Sequence, residues 1–135
     1  MLHDVTAFHL AGLHVLVVED EPIILMDMEG QLEDLGFGKV TGASSESIAL
    51  GVLGAEKVDL AVLDVHLGAG DSFQVATWLQ DRGVPFVFAT GSDGDAVPQQ
   101  FSCARLLPKP FRVAALEKAV FAELAISVPA TSISS

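Results

Sequence analysis

Val15-Leu16-Val17-Val18-Glu19-Asp20 is the stretch on which the architecture turns. Four apolar residues, three of them β-branched, run straight into two carboxylates. An apolar run without alternation reads as a parallel strand buried on both faces. Pro22 stands where the first turn of a following helix tolerates it. Ile24, Leu25, Met28, Leu32 and Leu35 then share one helical face, and Gly36 is a fitting stop.

The same strand-helix alternation continues along the chain. Lys39 to Thr41 makes a short strand. Ser44 or Ser45 caps a helix carrying Ile48, Ala49, Val52 and Leu53, and Val58 to Leu63 makes a strand ending at Asp64. The Gly68-Ala69-Gly70 loop leads through Asp71-Ser72 to a helix with Phe73, Ala76 and Leu79. Pro85 to Thr90 and Ala104 to Leu107 are the fourth and fifth strands, the latter ending at Pro108-Lys109-Pro110. Val113, Leu116, Val120 and Leu124 mark the last helix. Gly91 to Pro98 breaks the rhythm, since its glycines, aspartates and proline make a poor helix. A loop with at most one helical turn around Gln99 to Ser102 is expected there.

Five βα units predict an α/β fold, a parallel sheet covered by helices on both faces. Residues 1–12 read as an N-terminal extension, 13–126 as the domain and 127–135 as a flexible tail. At 135 residues one core is expected. No apolar run approaches the roughly 20 residues of a membrane span, and the N-terminus lacks the basic start of a secretory signal. One cysteine, Cys103, allows no internal disulfide. A cytoplasmic protein fits these features. Eighteen acids against seven bases, a formal charge of −11, argue against nucleic acid as a partner.

Ligands of such sheets bind at the carboxyl ends of the strands. There the chain places Glu19-Asp20, Asp64, Thr90 and Lys109: three carboxylates, a hydroxyl and an ammonium converging on one edge. His3, His9 and His14 lack metal-ligand spacing and read as plain surface or core residues. His66 reads as an exposed loop residue able to modulate water access, Trp78 as helix packing and Cys103 as a buried small residue.

This set, in this order, resembles the receiver domains of two-component response regulators. The motifs are Val-Val-Glu-Asp-Glu-Pro at 17–22, Leu-Asp-Val-His-Leu at 63–67, Phe-Ala-Thr-Gly at 88–91 and Pro-Lys-Pro-Phe at 108–111. The chain looks like the FAT GUY subgroup of alphaproteobacteria, typically single-domain. The resemblance implies a flavodoxin-like (βα)5 sandwich, strand order 2-1-3-4-5, with a shortened or irregular fourth helix. It implies that Asp64 accepts a phosphoryl group in a Mg²⁺-dependent reaction. Asp20, Asp64 and the backbone carbonyl of His66 would hold the metal, with Glu19 acting mainly through a water. Lys109 and Thr90 would contact phosphoryl oxygens, and the Lys109-Pro110 bond would be cis. The donor would be a sensor histidine kinase, possibly of the HWE type, or a histidine phosphotransferase, and the output an unidentified downstream protein or a phosphate sink. On this reading the chain is no enzyme beyond its own phosphorylation and dephosphorylation.

Two positions depart from the usual pattern. Leu106 stands where many receivers carry an aromatic readout residue, and Ser92 where the subgroup often has an aromatic. The Gly91–Pro98 stretch is expected to become ordered when Thr90 bonds the phosphoryl group. Three other readings compete. A Mg²⁺-dependent phosphohydrolase would want a second aspartate where His66 stands. A flavin or nucleotide binder would want a glycine-rich cradle after the first strand. A phosphorylation-independent docking module would not need the full set of site residues.

Overall fold

β1 (His14–Val18) and β3 (Leu60–Asp64) are buried along their whole length, as continuous apolar runs in the middle of a parallel sheet demand. The computed structural model describes residues 10–68, 70–91, 97–109 and 112–127. Expectations for 1–9, for the tail beyond 127, for Ser92 with the ordering of the stretch around it, and for the Lys109-Pro110 bond lie outside these residues.

The remaining elements are α1 (Pro22–Leu35), β2 (Lys39–Ala43), α2 (Glu46–Ala55), the two-residue strands β4 (His66–Leu67) and β5 (Gly70–Asp71), and α3 (Phe73–Asp81). β6 (Phe86–Thr90), a 3-10 turn at Gln99–Phe101, β7 (Arg105–Pro108) and α4 (Val113–Ser127) complete the chain. The main sheet is parallel, in the order β2-β1-β3-β6-β7. With the small β4–β5 hairpin set aside, this is the expected 2-1-3-4-5 arrangement of a flavodoxin-like fold.

Successive strand residues point to opposite faces, so each strand feeds two cores. Leu16, Val18, Leu63 and Phe88 pack with Leu53 of α2 and Leu79 of α3. Val15, Val17, Val62 and Val87 pack with Met28 and Leu32 of α1 and Leu116 and Val120 of α4. Leu10, ahead of β1, is buried in this second core, and its carbonyl accepts from the Leu13 and Gly38 amides.

Local signals act as anticipated at several ends. Pro22 opens α1, and Gly36 closes it with a φ of +118° that suits glycine. Of the two candidate caps for α2, Ser45 does the work, its Oγ accepting from the Ile48 N–H at 3.1 Å. Among the described residues between β6 and β7, the helical segment is a three-residue 3-10 turn, Gln99–Phe101. Phe101 anchors that turn, its ring 5.6–6.0 Å from those of Phe73, Phe86 and Phe88.

Other expectations need correction. β3 starts at Leu60 rather than Val58, β2 runs on to Ala43, and β7 spans Arg105–Pro108. The segments on either side of the glycine-containing loop, His66–Leu67 and Gly70–Asp71, pair as an antiparallel hairpin. Ile48 and Val113, assigned to helix cores, are half exposed. Cys103 is exposed rather than buried, because it lies in the turn leading to the edge strand β7. His14 is a satisfied core residue: its Nδ1 donates to the Lys57 carbonyl at 2.8 Å, and its Nε2 is 2.7 Å from the Thr41 hydroxyl. Trp78 packs on the core edge under the Arg82 guanidinium.

The Phe101 ring is buried against three others, so Phe101→Ala is expected to cost about 3–5 kcal/mol. Leu106→Ala, at a side chain 46% exposed, should stay within roughly 0.5 kcal/mol of wild type. Urea unfolding of both variants checks the contrast.

Candidate functional site

Parallel pairing sends every strand end to the same edge. Val18 is level with Leu63, Asp64 with Ala89, and Thr90 with Pro108. The residues that finish these strands therefore meet. Asp64 is the last residue of β3 and Thr90 the last of β6, and both are buried. Glu19 follows β1 with its N–H donated to the Ala43 carbonyl at 3.0 Å, and its side chain is fully buried. Lys109 follows β7, and its N–H donates to the Thr90 carbonyl at 2.6 Å.

That backbone bond delivers the Lys109 ammonium into the site. Nζ donates to Asp64 Oδ2 at 3.0 Å and to Glu19 Oε1 at 3.1 Å. The other Glu19 oxygen accepts from the Glu21 N–H at 3.1 Å. Asp20 is half-buried, and its Oδ2 accepts from the Gly68 N–H at 2.9 Å. Glu19, Asp20 and Asp64 can bring one oxygen each within 4.8 Å of one another. His66 lies in β4 with its side chain exposed, paired with Asp71 across the hairpin.

The electrostatics follow from burial and pairing. Desolvation pushes the Glu19 carboxyl above its ordinary value, and nearby Asp64 adds to this. The Glu21 N–H and the Lys109 ammonium oppose the rise without cancelling it. Burial alone would depress Lys109. The hydrogen bonds it donates to Asp64 and Glu19 outweigh this and hold the ammonium above its ordinary value. Lys109 therefore stays charged, and three carboxylates face a single lysine. A cluster of hard carboxylate oxygens with excess negative charge fits a hard dication such as Mg²⁺.

Every sequence-predicted site residue stands at the expected sheet edge. Two contacts were not anticipated. Glu19 is a direct partner of Lys109. The Gly68 tie on Asp20 had no signal in the sequence beyond the presence of a glycine in a loop.

A family model of the response regulator receiver domain matches residues 15–121. The chain belongs to that family. Receiver domains are signalling modules of two-component systems, and they bind Mg²⁺ through an acidic pocket of the kind Glu19, Asp20 and Asp64 form here. The solution structure of SdrG from Sphingomonas melonis Fr1 superimposes with a TM-score of 0.74 at 40% identity, covering 84% of this chain and 98% of that one. The transcriptional regulatory protein GlrR of Escherichia coli K12 is 36% identical over 123 residues, 87% of this chain and 28% of GlrR. The phyllosphere-induced regulator PhyR of Methylorubrum extorquens is 32% identical over 109 residues, 74% of this chain and 39% of PhyR. The receiver chain thus spans about a third of the length of these two curated relatives. Among the described residues, no helix is long and apolar enough to cross a membrane.

The raised Glu19 pKa sets a pH dependence in metal-free protein. The folded state holds the Glu19 proton more tightly than the unfolded chain. Stability from this group is therefore complete below the ordinary value of 4.5 and is lost as pH rises through the raised folded value. Glu19→Gln removes the titration. Its stability relative to wild type should accordingly be higher at neutral pH than near the ordinary carboxylate value, as urea unfolding in chelator at the two pH values will show.

Proposed function

We propose that the chain is a single-domain response regulator of the FAT GUY subgroup that accepts a phosphoryl group on Asp64. The donor would be a sensor histidine kinase, possibly of the HWE type, or a histidine phosphotransferase. The phosphorylated protein would act in the cytoplasm by binding a downstream protein or by draining phosphate from a relay. The observation that carries this reading is the buried Asp64 carboxylate with the Lys109 ammonium 3.0 Å from its Oδ2.

Asp20, Asp64 and the backbone carbonyl of His66 would hold Mg²⁺, with Glu19 beside them. When bound, Mg²⁺ supplies the positive charge that lets one anion approach another. A free Asp64 oxygen then bonds to phosphorus as the donor's P–N bond breaks, and the histidine ring leaves with the electron pair. Lys109 offers its ammonium to a phosphoryl oxygen, and the Thr90 hydroxyl to another. Little rearrangement is asked of the protein, because the parallel strands already hold these groups at one edge. Burial of Asp64 also limits the access of water to the acyl phosphate. A phosphohydrolase reading gains nothing from the structure, since the position two residues after Asp64 carries the exposed His66.

Intact-mass analysis after incubation with a small acyl phosphate tests the proposal. One added phosphoryl group is expected in wild type with Mg²⁺, and none in Asp64→Asn. Without Mg²⁺ the adduct should form slower by a factor on the order of 10²–10³, the scale of losing one electrostatic stabiliser. An adduct that survives in Asp64→Asn would overturn the assignment of the acceptor.

A further inference from the structure

The hairpin after β3 does more than connect it to α3. β4 and β5 pair His66 with Asp71 and Leu67 with Gly70. From the tip of this hairpin the Gly68 N–H reaches Asp20, 48 residues earlier, and donates to its Oδ2 at 2.9 Å. Lys109 bonds Glu19 and Asp64. Asp20, the most exposed of the three carboxylates, is instead tied to the hairpin.

We propose that Gly68 is a positioning residue of the cation site. Its backbone N–H holds one oxygen of Asp20 and presents the other to the metal. The inference rests on the proposed reading of Asp20 as a metal ligand. A carboxylate that has already lost its rotational freedom has less to lose when the cation arrives, and groups bonded to a ligand's far oxygen orient it. The bond is charge-assisted, since the acceptor is an anion. It also couples the cation site to the hairpin that carries His66.

The backbone shows why glycine serves here. Gly68 has a φ of +58°, in the left-handed region that glycine and asparagine enter readily and β-branched residues avoid. A Cβ at this position would find Asp20 Oδ2 at 3.8 Å, an ordinary contact. The space therefore admits a side chain, and only the backbone turn resists one. Gly83, after α3, provides a matched control: its φ is +70° and a Cβ there would meet nothing within 4 Å. It shares the conformation without touching the cation site.

Calorimetric titration with Mg²⁺ of the wild type, Gly68→Val, Gly68→Asn and Gly83→Val separates positioning from general strain. Gly68→Val should weaken Mg²⁺ binding about 10-fold, the lower end for loss of a ligand's orienting partner. Gly68→Asn and Gly83→Val should stay within roughly twofold of wild type, well short of such a loss. Saturating Mg²⁺ should restore phosphoryl acceptance by Gly68→Val from a small acyl phosphate. If Gly68→Val does not fold, Gly68→Ala applies a smaller strain and carries the same comparison. Wild-type Mg²⁺ affinity in Gly68→Val, or equal weakening in Gly83→Val, would overturn the positioning role and leave the proposed function standing. A wild-type protein that binds no Mg²⁺ would overturn both.

Discussion

One ammonium between two buried carboxylates is the interaction on which the site depends. Lys109 Nζ lies about equally close to Asp64 and Glu19, and the latter is wholly shielded from water. Either carboxylate alone in such a place would be costly to ionise. Removing one member of a buried charge pair typically costs about 3–5 kcal/mol, because the partner is stranded. Lys109 therefore serves both carboxylates with one positive charge, too little to neutralise the cluster. The residual negative charge is what makes a dication welcome.

The sheet exists, in functional terms, to hold these charges together. Glu19 and Lys109 are 90 residues apart in sequence, and no local structure could bring them within hydrogen-bonding distance. Five parallel strands do so by ending on a common edge. The rigidity comes from the two apolar cores on either side, where every residue of the three central strands β1, β3 and β6 is buried.

Two connections among the described residues are less regular than the rest. The described part of the connection from β6 to β7 carries a three-residue 3-10 turn pinned by Phe101. The connection from β3 to α3 folds back as a hairpin and ties down Asp20. Both follow strands that end in a site residue, Thr90 and Asp64. Loops placed at strand ends on a rigid scaffold are where function is ordinarily carried.

Much of this was legible in the residues. The apolar runs ending in acids, the Gly36 stop and a serine cap for α2 each specify a local outcome. The order of the strands came from the resemblance to receiver domains, and the sheet has that order. Burial at element ends was less legible. Ile48 and Val113 fit a helical face yet stand half exposed, because periodicity says which residues share a face but not how far the neighbouring layer extends. Cys103 looked like core by residue type, but it lies in a turn beside an edge strand. By itself the sequence determined the alternation of elements, their faces and the five residues at the strand ends, since these follow from local periodicity and spacing. Only the tertiary structure decided that Glu19 shares Lys109 with Asp64 and that Gly68 holds Asp20. Those bonds join residues distant in the chain, and their geometry depends on how strands and loops pack, which no local pattern encodes.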